Sequence, residues 1–162
     1  MAKSTRRINQ KKGTRKNRNI KNDGQKNGLQ KNDLQHFEQE VIVKFLQMLN
    51  IVKLYHWKTY SYATHKATDE LYTNLNANID SFVEVLLGKR GDRVNLTHVK
   101  HIPIKDFTSQ NDFKKELDSF KKYLVDLNDN KALKSMTNSD LYNIRDEILA
   151  NLNQILYLLT FK

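Results

Sequence analysis

One imidazole and three carboxylates are spaced so that a single helix would carry them as a stripe: His65, Asp69, Asp80 and Glu84. At about 100° per residue they fall within an arc of roughly 100°. Imidazole nitrogen and carboxylate oxygen are ligands that suit Fe(II), Mn(II) and Zn(II), and the charge of three carboxylates would stabilise Fe(III). A second imidazole, His56, precedes His65 by nine positions and shares a face with Phe45, Leu49 and Val52. It can be a further ligand or a hydrogen-bonded core residue. The bland reading of the stripe is a solvated helix edge whose acids pair with lysines. Trp57 reads as packing. His98 and His101 have no carboxylate at helical spacing to organise a site. No set of residues supports Ser/His/Asp catalysis or a glycine loop that cradles phosphate. The absence of cysteine excludes disulfides, thiolate zinc sites and a Cys nucleophile.

The elements that must position these residues read as four amphipathic helices. One proline and five glycines in 162 residues argue for helix over sheet. Helicity is expected from an N-cap at Asp33 through residues 34–58, whose apolar residues extend round much of the circumference and imply contacts to another subunit. After a short joint, the ligand-bearing helix runs over 61–87 with Gly88 as its C-terminal residue in the left-handed conformation. Its core stripe, Leu71, Leu75, Ile79, Phe82 and Leu86, lies beside the candidate ligands, so those ligands sit where a second chain could reach them. Residues 89–108 break the periodicity and hold the proline. Within them, Arg90-Gly91-Asp92 and Asn95-Leu96-Thr97 match short motifs by chance. Helices follow over 110–128, with stripe Phe113, Leu117, Phe120, Leu124 and Leu127, and over 138–161, with stripe Leu141, Ile144, Ile148, Leu152, Ile155 and Leu159. The fold class is all-α: a four-helix bundle with a long crossover between helices 2 and 3.

The net charge of +10 is confined to one end. Residues 1–32 hold 11 of the 28 Lys and Arg and one of the 18 acids, which leaves 17 of each in residues 33–162. Residues 1–32 are too poor in apolar side chains to offset their ordering entropy and read as a disordered arm preceding a single domain over 33–162. Lys3, Arg6, Arg7, Lys11, Lys12, Arg15, Lys16, Arg18 and Lys21 suit a polyanion, with DNA the leading candidate and RNA open, bound through phosphates without sequence preference. The alternatives are a solubilising tail or a nuclear-import signal. No apolar run is long enough for a membrane span, and no hydrophobic segment follows the N-terminal basic residues. The expected setting is soluble and intracellular, in cytoplasm, nucleoid or virion.

His56-Trp57, then His65-x3-Asp69-x10-Asp80-x3-Glu84, resembles the mini-ferritins, the DNA-protection proteins called Dps. The run I-R-D-E-I-L-A-N-L-N-Q-I-L-Y-L-L from Ile144 is similar to that family's last helix. The resemblance covers about residues 33–161. It implies a ferritin-like bundle assembled as a hollow dodecamer, with iron oxidised between two chains and stored as ferric mineral. It assigns His56 to one chain's side of the site, with His65, Asp69, Asp80 and Glu84 completing it with the partner, and it gives the lysine-rich arm to DNA. His56 and His65 stand three residues closer than the family's two histidines, so the fold must decide whether His56 reaches the register. There is no Glu-x-x-His, so the di-iron site inside one subunit of larger ferritins is not available. A second reading keeps the bundle without metal chemistry, as a catalytically inactive structural protein that condenses nucleic acid. The arm's composition is in the style of proteins of large DNA viruses, which makes a virion-packaged member the form that reading would take.

Overall fold

A computed structural model describes the backbone of residues 17–161 and the side chains of residues 32–161. Four long helices carry the chain: α1 (Asn17–Lys58), α2 (Tyr62–Arg90), α3 (Gln110–Asp126) and α5 (Ser139–Leu158). A 3-10 turn (Leu127–Asp129) and the short α4 (Lys131–Lys134) link the last two. There is no strand among the described residues. None of the helices is long and apolar enough to cross a membrane, among the described residues.

The apolar stripes become the core as the periodicity predicts. Leu71, Leu75, Ile79, Phe82 and Leu86 of α2 are buried, as are Phe113, Leu117, Phe120 and Leu124 of α3. In α5 the stripe is Leu141, Ile148, Leu152 and Ile155, while Ile144 is only half-buried and Arg145 takes the interior place beside it. Aromatic packing ties helices together: Phe45 meets Phe82 edge-on at 5.2 Å, and Tyr55 stacks on Phe113 at 4.0 Å.

The contacts fix the topology. Arg90 at the end of α2 pairs with Glu38 at the middle of α1, while the short joint holds the start of α2 to the end of α1, so these two helices run antiparallel. Tyr55 near the end of α1 meets Phe113 at the start of α3, while Lys44 lies over Phe120, so α1 and α3 are antiparallel too. Lys89 at the end of α2 reaches Asp140 at the start of α5 at 2.8 Å. Lys114 at the start of α3 donates to the Leu159 carbonyl at the end of α5. It follows that α2 and α3 point the same way and residues 91–109 must travel the length of the molecule. They do so along α1: Gln39 donates to the Asn95 carbonyl and bonds His98, and Lys58 pairs with Asp106 at the other end.

Local chemistry explains the boundaries. Ser61 and Ser109 cap α2 and α3 by accepting from Thr64 N and Asp112 N. The left-handed residue that ends α2 is Gly91 (φ 67°), three positions beyond the expected Gly88, which lies inside the helix. The Arg-Gly-Asp triplet is thereby a helix terminator: Arg90 is buried in its ion pair and Gly91 makes the turn. Asn95 and Thr97 bond each other in an exposed turn. At the other limit, α1 begins at Asn17, so Asp33 is an interior residue and not an N-cap. Adding residues to an existing helix avoids the cost of nucleation. Of the basic residues read as an arm, Lys3, Arg6, Arg7, Lys11, Lys12, Arg15 and Lys16 lie outside the described residues. Arg18 and Lys21 fall on the first turns of α1, with side chains outside them.

The Glu38–Arg90 pair is the most buried ionic contact among the described residues, with side chains 1% and 7% exposed. Truncating one partner strands the other charge. We expect Glu38→Ala to cost about 3 kcal/mol in urea unfolding, and a Glu38→Met/Arg90→Met double variant to cost much less than the two single changes added together. Equal additivity would show that the two charges do not depend on each other.

Candidate metal half-site

The joint between α1 and α2 is three residues long, Thr59 to Ser61, and it brings His56 alongside His65. The two imidazoles stack with centroids 3.9 Å apart and planes inclined by 23°. His56 Nδ1 lies 3.0 Å from the His65 carbonyl oxygen, and His65 Nδ1 lies 3.1 Å from the His56 carbonyl oxygen. A carbonyl can only accept, so each Nδ1 carries the proton and donates. In its neutral form each ring is therefore held in one tautomer, with the Nε2 lone pair left for another partner. This is the arrangement by which metal-binding histidines are commonly oriented.

Local reasons account for each bond. The His56 carbonyl belongs to the last turn of α1, where no later N–H of the helix is available to it, and His65 fills that vacancy as a side-chain cap. Thr68, fully buried, donates its hydroxyl proton to the Thr64 carbonyl at 2.8 Å. Its oxygen then faces His56 Nδ1 at 3.3 Å as a second acceptor. His56 itself is 6% exposed, as a hydrogen-bonded core histidine would be. Its Nε2 is nonetheless 3.9 Å from Asp69 Oδ1, whose side chain is half-exposed.

Asp80 and Glu84 stand elsewhere. They share the stripe with His65 and Asp69 and are exposed, but 11 and 15 residues beyond Asp69 is about 16 and 22 Å along a helix axis. Among the described residues no three His, Asp or Glu side chains of one chain converge to hold a metal ion. One chain thus sets His56 against His65 and, separately, 3.9 Å from Asp69, and leaves Asp80 and Glu84 apart.

Trp57 corrects an expectation. The sequence reads it as packing, yet within one chain it is 68% exposed, because its position on α1 points away from the core that His56 and Tyr55 enter. Tyr60 and Tyr62 of the joint are exposed as well. Lys53 lies over the rings of Tyr72, at 4.6 Å, and Trp57, at 5.7 Å. The corner that carries the histidines is thus flanked by aromatic surface. A groove of about 750 Å³ opens at the same end, bounded by Tyr55, Tyr60, Thr64, Thr108 and Phe161.

Sequence reasoning missed Thr68, Arg145 and the Glu38–Arg90 pair. Arg145 is 6% exposed and donates to the Leu124 carbonyl and to Asn128 Oδ1. Only its place within an apolar stripe could have signalled an interior role.

A family model described as a family of unknown function (DUF5856) matches residues 56–159, which begins at His56 and takes in the whole corner. No curated protein and no solved structure matches the chain.

The hydrogen bonds make a metal-independent prediction. In metal-free protein at mildly alkaline pH, nitrogen NMR should find both His56 and His65 as Nδ1–H tautomers, and an Nε2–H form of either ring would contradict the clasp. Replacing His65 by Ala removes the cap from α1 and should lower stability by about 1 kcal/mol in urea unfolding.

Proposed function

The chain belongs to that family of unknown function (DUF5856), and from the chemistry of its own corner we propose an iron-binding, iron-oxidising protein whose metal site is completed between two copies. The observation that carries the reading is the pair of parallel imidazoles, each with Nδ1 spent on a backbone carbonyl and Nε2 free, beside Asp69. Two imidazole nitrogens with carboxylate oxygens fit Fe(II) as donors. In this reading His56, His65 and Asp69 of one copy face Asp80 and Glu84 of another, and iron is the cargo that is oxidised and sequestered. What is compatible with a second copy is the exposure of Asp80 and Glu84 on the stripe that carries His65 and Asp69. The order of helices, with a connection running the length of α1, is compatible with a ferritin-like bundle and hence with the resemblance to mini-ferritins. Residues 1–32, with 11 basic residues against one acid, are proposed to bind DNA through phosphates.

A second reading has its own observation: a histidine clasp that caps α1 is useful without any metal. The protein is then a structural, nucleic-acid-condensing bundle, in a virion or elsewhere.

Anaerobic Fe(II) addition followed by peroxide separates the two. The iron reading expects ferric absorbance that Asp80→Ala and Glu84→Ala abolish, and no uptake by the natural sequence removes it. Deleting residues 1–16 should flatten the slope of log K against log salt for duplex DNA by up to about 6, one phosphate contact for each of the seven basic residues removed. Binding with an unchanged slope would rule out this part of the chain as the contact.

A further inference from the structure

We propose that the corner between α1 and α2 is a platform on which unpaired bases of a single-stranded nucleic acid stack, a contact distinct from the arm discussed above. Residues 1–32 contain no Phe, Trp or Tyr, so the arm offers charge to phosphates but no ring to bases. The corner has both. Residues 41–68 hold four lysines, Lys44, Lys53, Lys58 and Lys66, and no Asp or Glu. Where this run turns from one helix into the next, Trp57, Tyr60 and Tyr62 are 68%, 106% and 78% exposed. Single exposed aromatics are ordinary, but three within six residues form a patch that the core does not use. The reciprocal His56–His65 bonds fix the backbone on either side of the joint, so little backbone ordering is left for binding.

The groove at this end suits the same ligand. Its volume of about 750 Å³ lies within the range of binding clefts, roughly 300–1,000 Å³. Trp57, Tyr60 and Phe161 line it with exposed rings, and no carboxylate lines it among the described residues. Asp106, which pairs with Lys58, is not part of the lining. Thr59 and Ser61 are, and each hydroxyl oxygen accepts from a nearby backbone N–H, of Ser61 at 3.2 Å and of Thr64 at 3.3 Å. Their hydroxyl protons remain available to donate, which suits phosphate and base oxygens. Lys53 lies over the Trp57 and Tyr72 rings and, like Lys66, has no carboxylate partner among the described residues. A neutral or cationic partner would draw nothing from these cations, whereas a strand of unpaired bases uses the rings and the charge together.

Trp57 is the only tryptophan, so its emission reports on this corner alone. Titrating the full chain with a short oligothymidylate should quench it, since a stacked base quenches an indole. An abasic deoxyribose-phosphate chain of the same length keeps the phosphates, and a duplex of the same sequence keeps its bases paired. Both should quench far less. Oligouridylate run beside them tells RNA from DNA, and quenching by either strand is the expected result. Tyr60→Ala, a change at a fully exposed position, should weaken the affinity read from the quench by at least about fivefold. The proposal is overturned if the abasic chain or the duplex quenches as strongly as the single strand, or if neither single strand quenches Trp57. It is equally overturned if Tyr60→Ala binds as tightly as the natural sequence. Emission that moves to shorter wavelength as the protein is concentrated without nucleic acid also overturns it, because a second copy then covers the corner. The arm is read separately, by the salt slope of duplex binding. An arm that makes no phosphate contact leaves the quench in place, and an unquenched Trp57 leaves the arm's slope as it was.

Discussion

A helix leaves its last carbonyls without N–H partners, and in this chain neighbouring helices supply them. His65 of α2 donates to the His56 carbonyl at the end of α1. Arg145 of α5 donates to the Leu124 carbonyl at the end of α3, and Lys114 of α3 donates to the Leu159 carbonyl at the end of α5. The end of α2 closes locally, through Gly91 N–H to the Leu87 carbonyl. Every one of the other three bonds crosses from one helix to another, so the condition for ending a helix is also a condition on where its neighbour stands. Apolar stripes allow helices to slide along and rotate against each other at modest cost. A charged or imidazole donor aimed at one carbonyl does not.

This is why the short joint does not exclude His56 from the register. With Thr59 to Ser61 as the whole connection, α2 must start close to the last turn of α1. The carbonyl of His56 then sits within reach of the first turn and a half of α2, which is where His65 is. The reciprocal bond from His56 to the His65 carbonyl closes a ring of contacts that stacks the imidazoles. At the far end of the same helix pair, Glu38 and Arg90 make a second fixed point. Between the two, the stripe carrying Asp69, Asp80 and Glu84 has its angular position set.

What could be read from the sequence follows the same division. The stripes of α2, α3 and most of α5 were legible because burial of one face repeats every three or four residues, and the register of Leu71 to Leu86 alone identifies the inward side. Helix ends were less legible. Gly88 and Gly91 are equally permissive residues, and the choice between them depends on Arg90 finding Glu38, a contact across 52 positions. Arg145 broke the α5 stripe because its partner is a carbonyl on α3, and carbonyls leave no mark in a sequence. His65 to Glu84 could be seen as a stripe from spacing, whereas its link to His56 depended on the path of the joint. The exposure of Trp57 within one chain is not legible from its residue type, and only the direction of the core distinguishes Tyr55 and His56 from the residue that follows them.

The clasp also bears on whether the histidines do more than hold two helices. Capping the end of α1 requires one donor, and a lysine, arginine or asparagine at position 65 could provide it. Position 56 has to donate to the His65 carbonyl from a buried place, which again a single N–H satisfies. Two imidazoles fulfil both tasks with their Nδ1 atoms and have an Nε2 lone pair each to spare. A helix clasp has no need of those second nitrogens. His56, at 6% exposure, directs its spare nitrogen toward the side of the corner where Asp69 meets solvent. A purely structural role explains the bonds that are made, whereas an acceptor of lone pairs arriving from outside the chain would explain the bonds that are left open.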